Sequence, residues 1–242
     1  FQKTFELNPN LTSLRFDYAN LLANMDKNDL AIAQYNTYLK AYPKAADALA
    51  NLATVYEKQN KMDSAIANYL KSLEIDPKNT EVKKKLALCY HGQNDYTDAI
   101  KYYNEVLAIN KDDLDTKANK ALALHALKKY EDAITIYKEI LKVKENERLQ
   151  NNLISALNTQ GDIYLQENNN QKAIECFNTV IEYDVNEDFA YFGLAKAYEK
   201  MGSKTKALEN YEKAIEMAPD NQMYKDNFKA FSNAPVTKTQ TS

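Results

Sequence analysis

The chain has 242 residues, 45% hydrophobic and 27% charged, an ordinary balance for a folded chain long enough to bury a sizeable core. Its 31 Lys and Arg against 34 Asp and Glu leave a formal charge of −3, which argues against a nucleic-acid backbone binder. Four Gly and five Pro are too few for the turns of a sandwich or barrel, and two Cys exclude a disulfide scaffold. No apolar run approaches the ~20 residues of a membrane span. The cysteine usage points to a reducing compartment, taken here as cytoplasmic.

Self-similarity organises the rest. Ala31, Ala65, Ala99, Ala133, Ala173 and Ala207 are each followed by Ile or Leu, and each has an aromatic four residues later: Tyr35, Tyr69, Tyr103, Tyr137, Phe177 and Tyr211. The spacings are 34, 34, 34, 40 and 34. Twelve residues before each Ala stands a small residue, Ala19, Ala53, Ala87, Ala121, Gly161 or Ala195. Three beyond that stands Leu22, Tyr56, Tyr90, Leu124, Tyr164 or Tyr198. Steps of three and four put residues on one face of a helix, so each repeat holds two amphipathic helices, A and B. The small residues let the two backbones approach, and the aromatic of B fills the space beside them.

In chain order, residues 1–11 read as the end of an earlier helix B, with Phe1 at the aromatic slot. The A helix that should precede it implies a longer array. Six repeats follow at 12–45, 46–79, 80–113, 114–147, 154–187 and 188–221. Polar breaks such as Gln59-Asn60-Lys61 and Asn168-Asn169-Asn170 separate A from B, and Pro43, Pro77 and Pro219 stop helix B. The 40-residue spacing leaves six extra residues near 148–153. Leu149, Leu153 and Leu157 carry the apolar stripe of the fifth A helix backwards, so that helix is predicted to begin near Glu147. Tyr224, Phe228 and Phe231 predict a capping helix at 222–231, since the last apolar face of a stack must be covered. Residues 232–242 are polar and are expected to be disordered.

This pattern resembles the tetratricopeptide repeat family. The fullest matches are Leu49-x-x-Leu52-Ala53-x-x-Tyr56…Ala65…Tyr69…Pro77 and Tyr191-x-x-Leu194-Ala195-x-x-Tyr198…Ala207…Tyr211…Pro219. The resemblance covers residues 1–231 and implies an all-α, right-handed solenoid of helix-turn-helix repeats with a C-terminal capping helix. Departures are Lys111 and Glu145 where Pro is usual, Lys120 and Gln160 for a Leu of helix A, and Lys83 and Lys117 for its first large apolar residue.

No residue order suggests a catalytic triad, a phosphate loop or a metal site, and no cofactor is expected. His91 and His125 are 34 residues apart and share one slot near the end of helix A. Two imidazoles make a poor metal site, which leaves a hydrogen-bonded pair or a pH-sensitive edge. Cys89 and Cys176 read as small packing residues.

In the resembled family, stacked A helices line a concave groove. Here its exposed positions include Asn20, Asn51, Thr54, Lys84, Lys85, Leu88, His91, Asn119, Thr159, Asp162, Phe189, Phe192 and Lys196. Asparagine amides both donate and accept, as a peptide backbone requires. Phe189 and Phe192 serve either as packing for neighbouring helices or as an anchor for a partner's apolar side chain. Some family members grip a terminal carboxylate with five residues, and this chain has Asn20, Asn51 and Lys85 at three of those positions. Phe16 and Glu81 hold the other two, so the clamp is incomplete and chaperone binding does not carry over. With Lys84 added, a cationic, amide-rich patch is expected to prefer an acidic segment or a free C terminus.

The function expected is a non-catalytic module that binds an extended or helical peptide segment of a protein partner. The alternatives are a structural scaffold and the targeting arm of an enzyme whose catalytic domain lies elsewhere. No nucleic-acid partner is expected. Oligomeric state stays open.

Overall fold

The computed structural model describes residues 11–233, and these form thirteen α-helices with no strand among the described residues. The expected end of a helix B at 1–11, but for Leu11, and most of the expected tail at 232–242 lie outside the described residues, although Ser232 closes the last helix. The helices are α1 (Leu14–Asn24), α2 (Asn28–Ala41), α3 (Ala46–Lys58), α4 (Met62–Ile75), α5 (Thr80–Gly92), α6 (Tyr96–Ile109) and α7 (Leu114–Ala126). They continue with α8 (Tyr130–Leu141), α9 (Glu147–Gln166), α10 (Asn170–Tyr183), α11 (Asp188–Lys200), α12 (Lys204–Met217) and α13 (Gln222–Ser232). The chain divides into two compact units, 1–127 and 128–242.

In the first unit each helix packs on its chain neighbours, α1 on α2 through to α6 on α7, and α1 also touches α3. The core is the predicted ladder. Ala19, Ala31, Ala53, Ala65, Ala87 and Ala99 are fully buried, and Tyr35, Tyr69 and Tyr103 fill the space beside them. In the second unit α8 to α13 pack in the same neighbour-to-neighbour way, and α9 also touches α11. Ala133, Ala173, Ala195 and Ala207 are buried there with Tyr137, Phe177 and Tyr211.

The A-to-B turns show why the polar breaks are needed. Asp26, Asn60, Asn94, Lys128 and Asn168 have φ between 55° and 63°, and Gly202 has φ 73°. All six sit at one register of the repeat. At five of them the next residue's N–H bonds back five positions, as in Lys61 N to Tyr56 O (2.9 Å) and Asn169 N to Tyr164 O (2.8 Å). That bond closes the helix end and requires the left-handed residue before it. Asn, Asp and Gly reach this region readily; Lys does so at a cost.

The B helices stop without needing Pro. Helix α6 ends at Ile109 ahead of Asn110 and Lys111, just as α4 ends at Ile75 ahead of Asp76 and Pro77. N-caps support the next start: Asn79 accepts from Val82 N (3.1 Å) and Asp113 from Thr116 N (3.0 Å). Helix α9 is 20 residues long and starts at Glu147, the residue that the Leu149, Leu153 and Leu157 spacing predicts. Asn146 caps it, and Gln150 donates to Tyr183 O of α10 (3.0 Å). Its added turns are therefore packed rather than looped out.

The last helix, α13, covers the end of α12. Tyr224 is buried, and Phe228 and Phe231 lie 6.4 and 6.1 Å from the ring of Tyr211.

Candidate functional site

The A helices of the first unit present a line of polar side chains joined across neighbouring helices. Asn20 of α1 accepts a hydrogen bond from Asn51 of α3 (3.0 Å), and Lys85 of α5 donates to Thr54 of α3 (3.1 Å). Both links join the residue after one repeat's small residue to the residue two before the next repeat's small residue, 31 positions on. Each link is one rung between successive A helices.

The B-helix tyrosines complete these rungs. Tyr35 OH donates to Asn20 Oδ1 (2.5 Å), and burial pushes that phenol up to about 12, with the Asn51 amide pulling the other way. The Tyr69 hydroxyl stands 2.9 Å from Thr54 Oγ1 and donates to Glu57 (2.9 Å); burial raises its pKa far above the usual phenol range. Tyr35 and Tyr69 are thus core residues at the ring and rung residues at the hydroxyl, as a buried phenol requires a partner.

Asn20, Asn24, Asn51, Thr54, Lys58 and Lys85, over Tyr35, line one cleft of about 420 Å³. Lys58 donates to Ala23 O at the end of α1 (3.3 Å) and pairs with Asp26 (3.3 Å). Cations there complement the negative end of the helix dipole. Lys85 has no carboxylate partner among the described residues, and an ammonium has three donors of which Thr54 takes one.

Of the residues expected to share this patch, Asn20, Asn51 and Lys85 are brought together. Lys84 is not one of them. Its ammonium is ion-paired to Asp113 (2.9 Å), which is also the N-cap of α7. The contact raises the Lys84 pKa, and despite burial it holds the Asp113 carboxyl below its usual range. Asn158 makes the same kind of link to Glu187 in the second unit (3.0 Å). The position is a strut to the next repeat rather than part of the cleft. Phe16 packs on Tyr38 (5.4 Å) and Tyr35 (6.3 Å).

Leu88 is 45% exposed on α5, and Asn119 is half-buried on α7 at the slot equivalent to Asn51 and Lys85. His91 stays within its own repeat. Its Nδ1 lies 3.4 Å from Tyr103 OH, and its ring meets the edge of Tyr96 at 5.2 Å. Burial lowers the pKa of both His91 and His125. Phe189 and Phe192 both make aromatic contacts. Phe189 meets Phe177 (6.4 Å), and Phe192 stacks on Tyr224 of the terminal helix (4.6 Å) and meets Tyr211 (5.8 Å). Phe192 therefore anchors the cap.

Cys89 is buried and Cys176 is half-buried; burial pushes their thiols up to about 12 and about 11. Among the described residues, no group of three or more His, Cys, Asp or Glu is placed to hold a metal ion, and no helix is long and apolar enough to cross a membrane.

Tetratricopeptide repeat models match residues 16–80, 113–184 and 189–221, and the model of anaphase-promoting complex, cyclosome, subunit 3 matches 58–140. The chain belongs to the tetratricopeptide repeat family, and its fold is the all-α solenoid of that family. No curated protein matches it. Among solved structures it is similar to Naa15/Naa10 bound to HypK-THB, at 17% identity and a TM-score of 0.69 over 98% of this chain. The chain spans 36% of the length of that relative. A tetratricopeptide repeat protein from Parabacteroides merdae is 17% identical over 96% of this chain and 90% of its own, with a TM-score of 0.55. YrrB, described as having an unusual peptide-binding site, is 21% identical over 81% of this chain and 97% of its own, with a TM-score of 0.51. At these identities the likeness concerns the fold.

Proposed function

We propose that the chain is a protein-interaction module whose first unit binds an extended segment of a partner along α1, α3 and α5. The segment presents a carboxylate, from an acidic side chain or a free C terminus, to Lys85. The observation that carries this reading is the cleft itself. Three successive A helices supply amides, a hydroxyl and an ammonium to one space of about 420 Å³, and the ammonium lacks a carboxylate partner among the described residues. Membership of a family of interaction modules supports it, as does YrrB's description as a protein with a peptide-binding site.

The test is titration of acidic and basic peptide pools against the unaltered chain and Lys85→Glu. A charge-assisted bond to a carboxylate contributes about 1.5–3 kcal/mol where solvent is partly excluded, so charge reversal is expected to weaken acidic peptides about tenfold or more. Lys84→Glu is the companion variant. It faces Asp113 and is expected to lower stability while leaving the charge preference in place. Equal binding of the two pools, or acidic binding unchanged by Lys85→Glu, would refute the proposal.

A further inference from the structure

The second unit holds a cleft of about 250 Å³ between the B helices α8 and α10, with the A helix α9 as its floor. Leu157, Gln160 and Tyr164 of α9 lie at the bottom and are buried. Ile134 and Lys138 of α8 form one wall, and Cys176 and Thr179 of α10 form the other. None of the residues around Lys85 takes part in it.

The equivalent place in the first unit is closed by the chain itself. Counting from the small residue of helix A and the alanine of helix B, the equivalents of Tyr164 and Cys176 are Tyr90 and Tyr102. Those two rings stack, with centroids 5.8 Å apart and planes 4° apart, and both pack with Leu70 on a core that includes Ile66 and Leu86. The equivalents of Leu157 and Thr179 are Lys83 and Glu105, which join α5 to α6 by an ion pair of 2.6 Å. Lys101 stands over the Tyr102 ring, 5.1 Å from its centroid.

In the second unit each of these closures is replaced. Cys176 stands where the second ring would be, and Leu157 and Thr179 cannot form an ion pair. Leu70 and Leu86 become Lys138 and Gln160. Tyr164 keeps its place, because its hydroxyl donates to Glu131 of α8 and Lys172 lies 5.0 Å over its ring.

The lining selects the occupant. An apolar void of about 150 Å³ suffices for benzene, so this cleft has room for an aromatic side chain. Leu157, Ile134 and the Tyr164 ring offer apolar contact, and the Cys176 thiol, pushed up to about 11 by burial, stays neutral and packs as a small apolar group. Lys138 is half-buried and makes no ion pair among the described residues. An aliphatic occupant would leave that ammonium against hydrocarbon, whereas the negative face of a ring attracts it, as the Tyr102 ring does Lys101.

We propose that this cleft is a docking site for one aromatic side chain, Phe or Tyr, of a partner protein, which enters between α8 and α10 and packs against Tyr164 as Tyr102 packs against Tyr90. The site uses B helices and a ring, the cleft of α1, α3 and α5 uses A helices and a carboxylate, and the two readings fail separately.

The experiment uses the full chain and four pools of nonapeptides with both termini capped, randomised except for a central Phe, Tyr, Leu or Ala. The Phe and Tyr pools are expected to be retained about tenfold better than the Ala pool, and better than the Leu pool. They are also expected to slow alkylation of Cys176, a reading on the unaltered chain that needs no variant. Cys89 is buried and serves as the internal control for unfolding. Cys176→Tyr, which supplies the ring that Tyr102 supplies, is expected to erase the preference, and Cys176→Ala to preserve it. Lys85→Glu is expected to leave it unchanged. Circular dichroism checks that each variant is folded. Aromatic pools retained no better than the Leu pool, aromatic binding that leaves Cys176 as reactive as before, or a preference that survives Cys176→Tyr in a folded chain would overturn the proposal.

Discussion

Gly193→Ala isolates how tightly the second unit is packed. The added methyl would sit 2.4 Å from Cζ of Phe177 and 2.5 Å from both Cε atoms, well inside contact distance. The obstruction is a ring with no exposed surface, so it has no solvent to move into. Forcing one extra carbon into such a core costs about 1–3 kcal/mol. Against this, Ala in a helix interior is favoured over Gly by about 1 kcal/mol. The steric effect is the larger, and a net loss of up to about 2 kcal/mol is expected. Gly92→Ala is the control, because nothing lies within 4 Å of the added carbon and only the helix preference remains. It should stabilise by up to about 1 kcal/mol. Urea titration reads the total effect, and hydrogen exchange of the α9, α10 and α11 amides locates it, since one midpoint need not describe a repeat chain. Phe177→Leu in the Gly193→Ala background removes the ring tip. The double-mutant cycle should then show at least about 1 kcal/mol of favourable coupling. A Gly193→Ala chain as stable as Gly92→Ala, or no coupling to Phe177, would refute the reasoning.

Two other outcomes follow from single positions. Lys128 holds φ 60° at a turn where the equivalent residues are Asp, Asn or Gly, so Lys128→Asn should stabilise by about 0.5–1 kcal/mol in urea titration. Burial lowers the folded-state pKa of His91 and His125, so the unfolded chain takes up protons first as pH falls below the ordinary histidine value of about 6.5. Stability is then full above that pH and declines as pH falls below it; the double variant His91→Gln/His125→Gln should flatten that part of the curve in a pH series of thermal melts.

The sequence displays most of the packing because packing positions in a repeat are constrained identically each time. Ala65 and Tyr69 are read from their own spacing and again from Ala99 and Tyr103. The early start of α9 is legible for the same reason, as Leu149, Leu153 and Leu157 extend an established stripe. Asn20, Asn51 and Lys85 are legible as a group because offsets from the small residues place them on one face. Lys84 and Phe192 escape that logic. Each occupies the slot three before the small residue, and what it meets comes from the next element: Asp113 for Lys84, Tyr224 for Phe192. Helix periodicity says which way a side chain points but not what arrives there from a turn or helix about thirty residues later. Nothing in composition marks the division after residue 127, because the repeat period runs through it unchanged.

The rung is where a uniform fold acquires different chemistry. Its backbone register is the same at each step, yet the side chains are Asn20 with Asn51, Thr54 with Lys85, Leu88 with Asn119, and Asp162 with Gly193. These substitutions leave the buried Ala ladder untouched, so they alter recognition at little cost to helix packing. The aromatic slot is the one place where core and surface are coupled. A tyrosine there fills the core and also spends its hydroxyl on the rung, as Tyr35 does on Asn20. Replacing it by Phe177 keeps the filling and releases the rung residue. At Asp162 the released residue is a carboxylate, and at Gly193 the space that a side chain would take is filled by the ring itself. One aromatic and one glycine thus replace a polar link by a packed ring, so the same backbone register gives a hydrogen-bonded rung in the first unit and an apolar contact in the second.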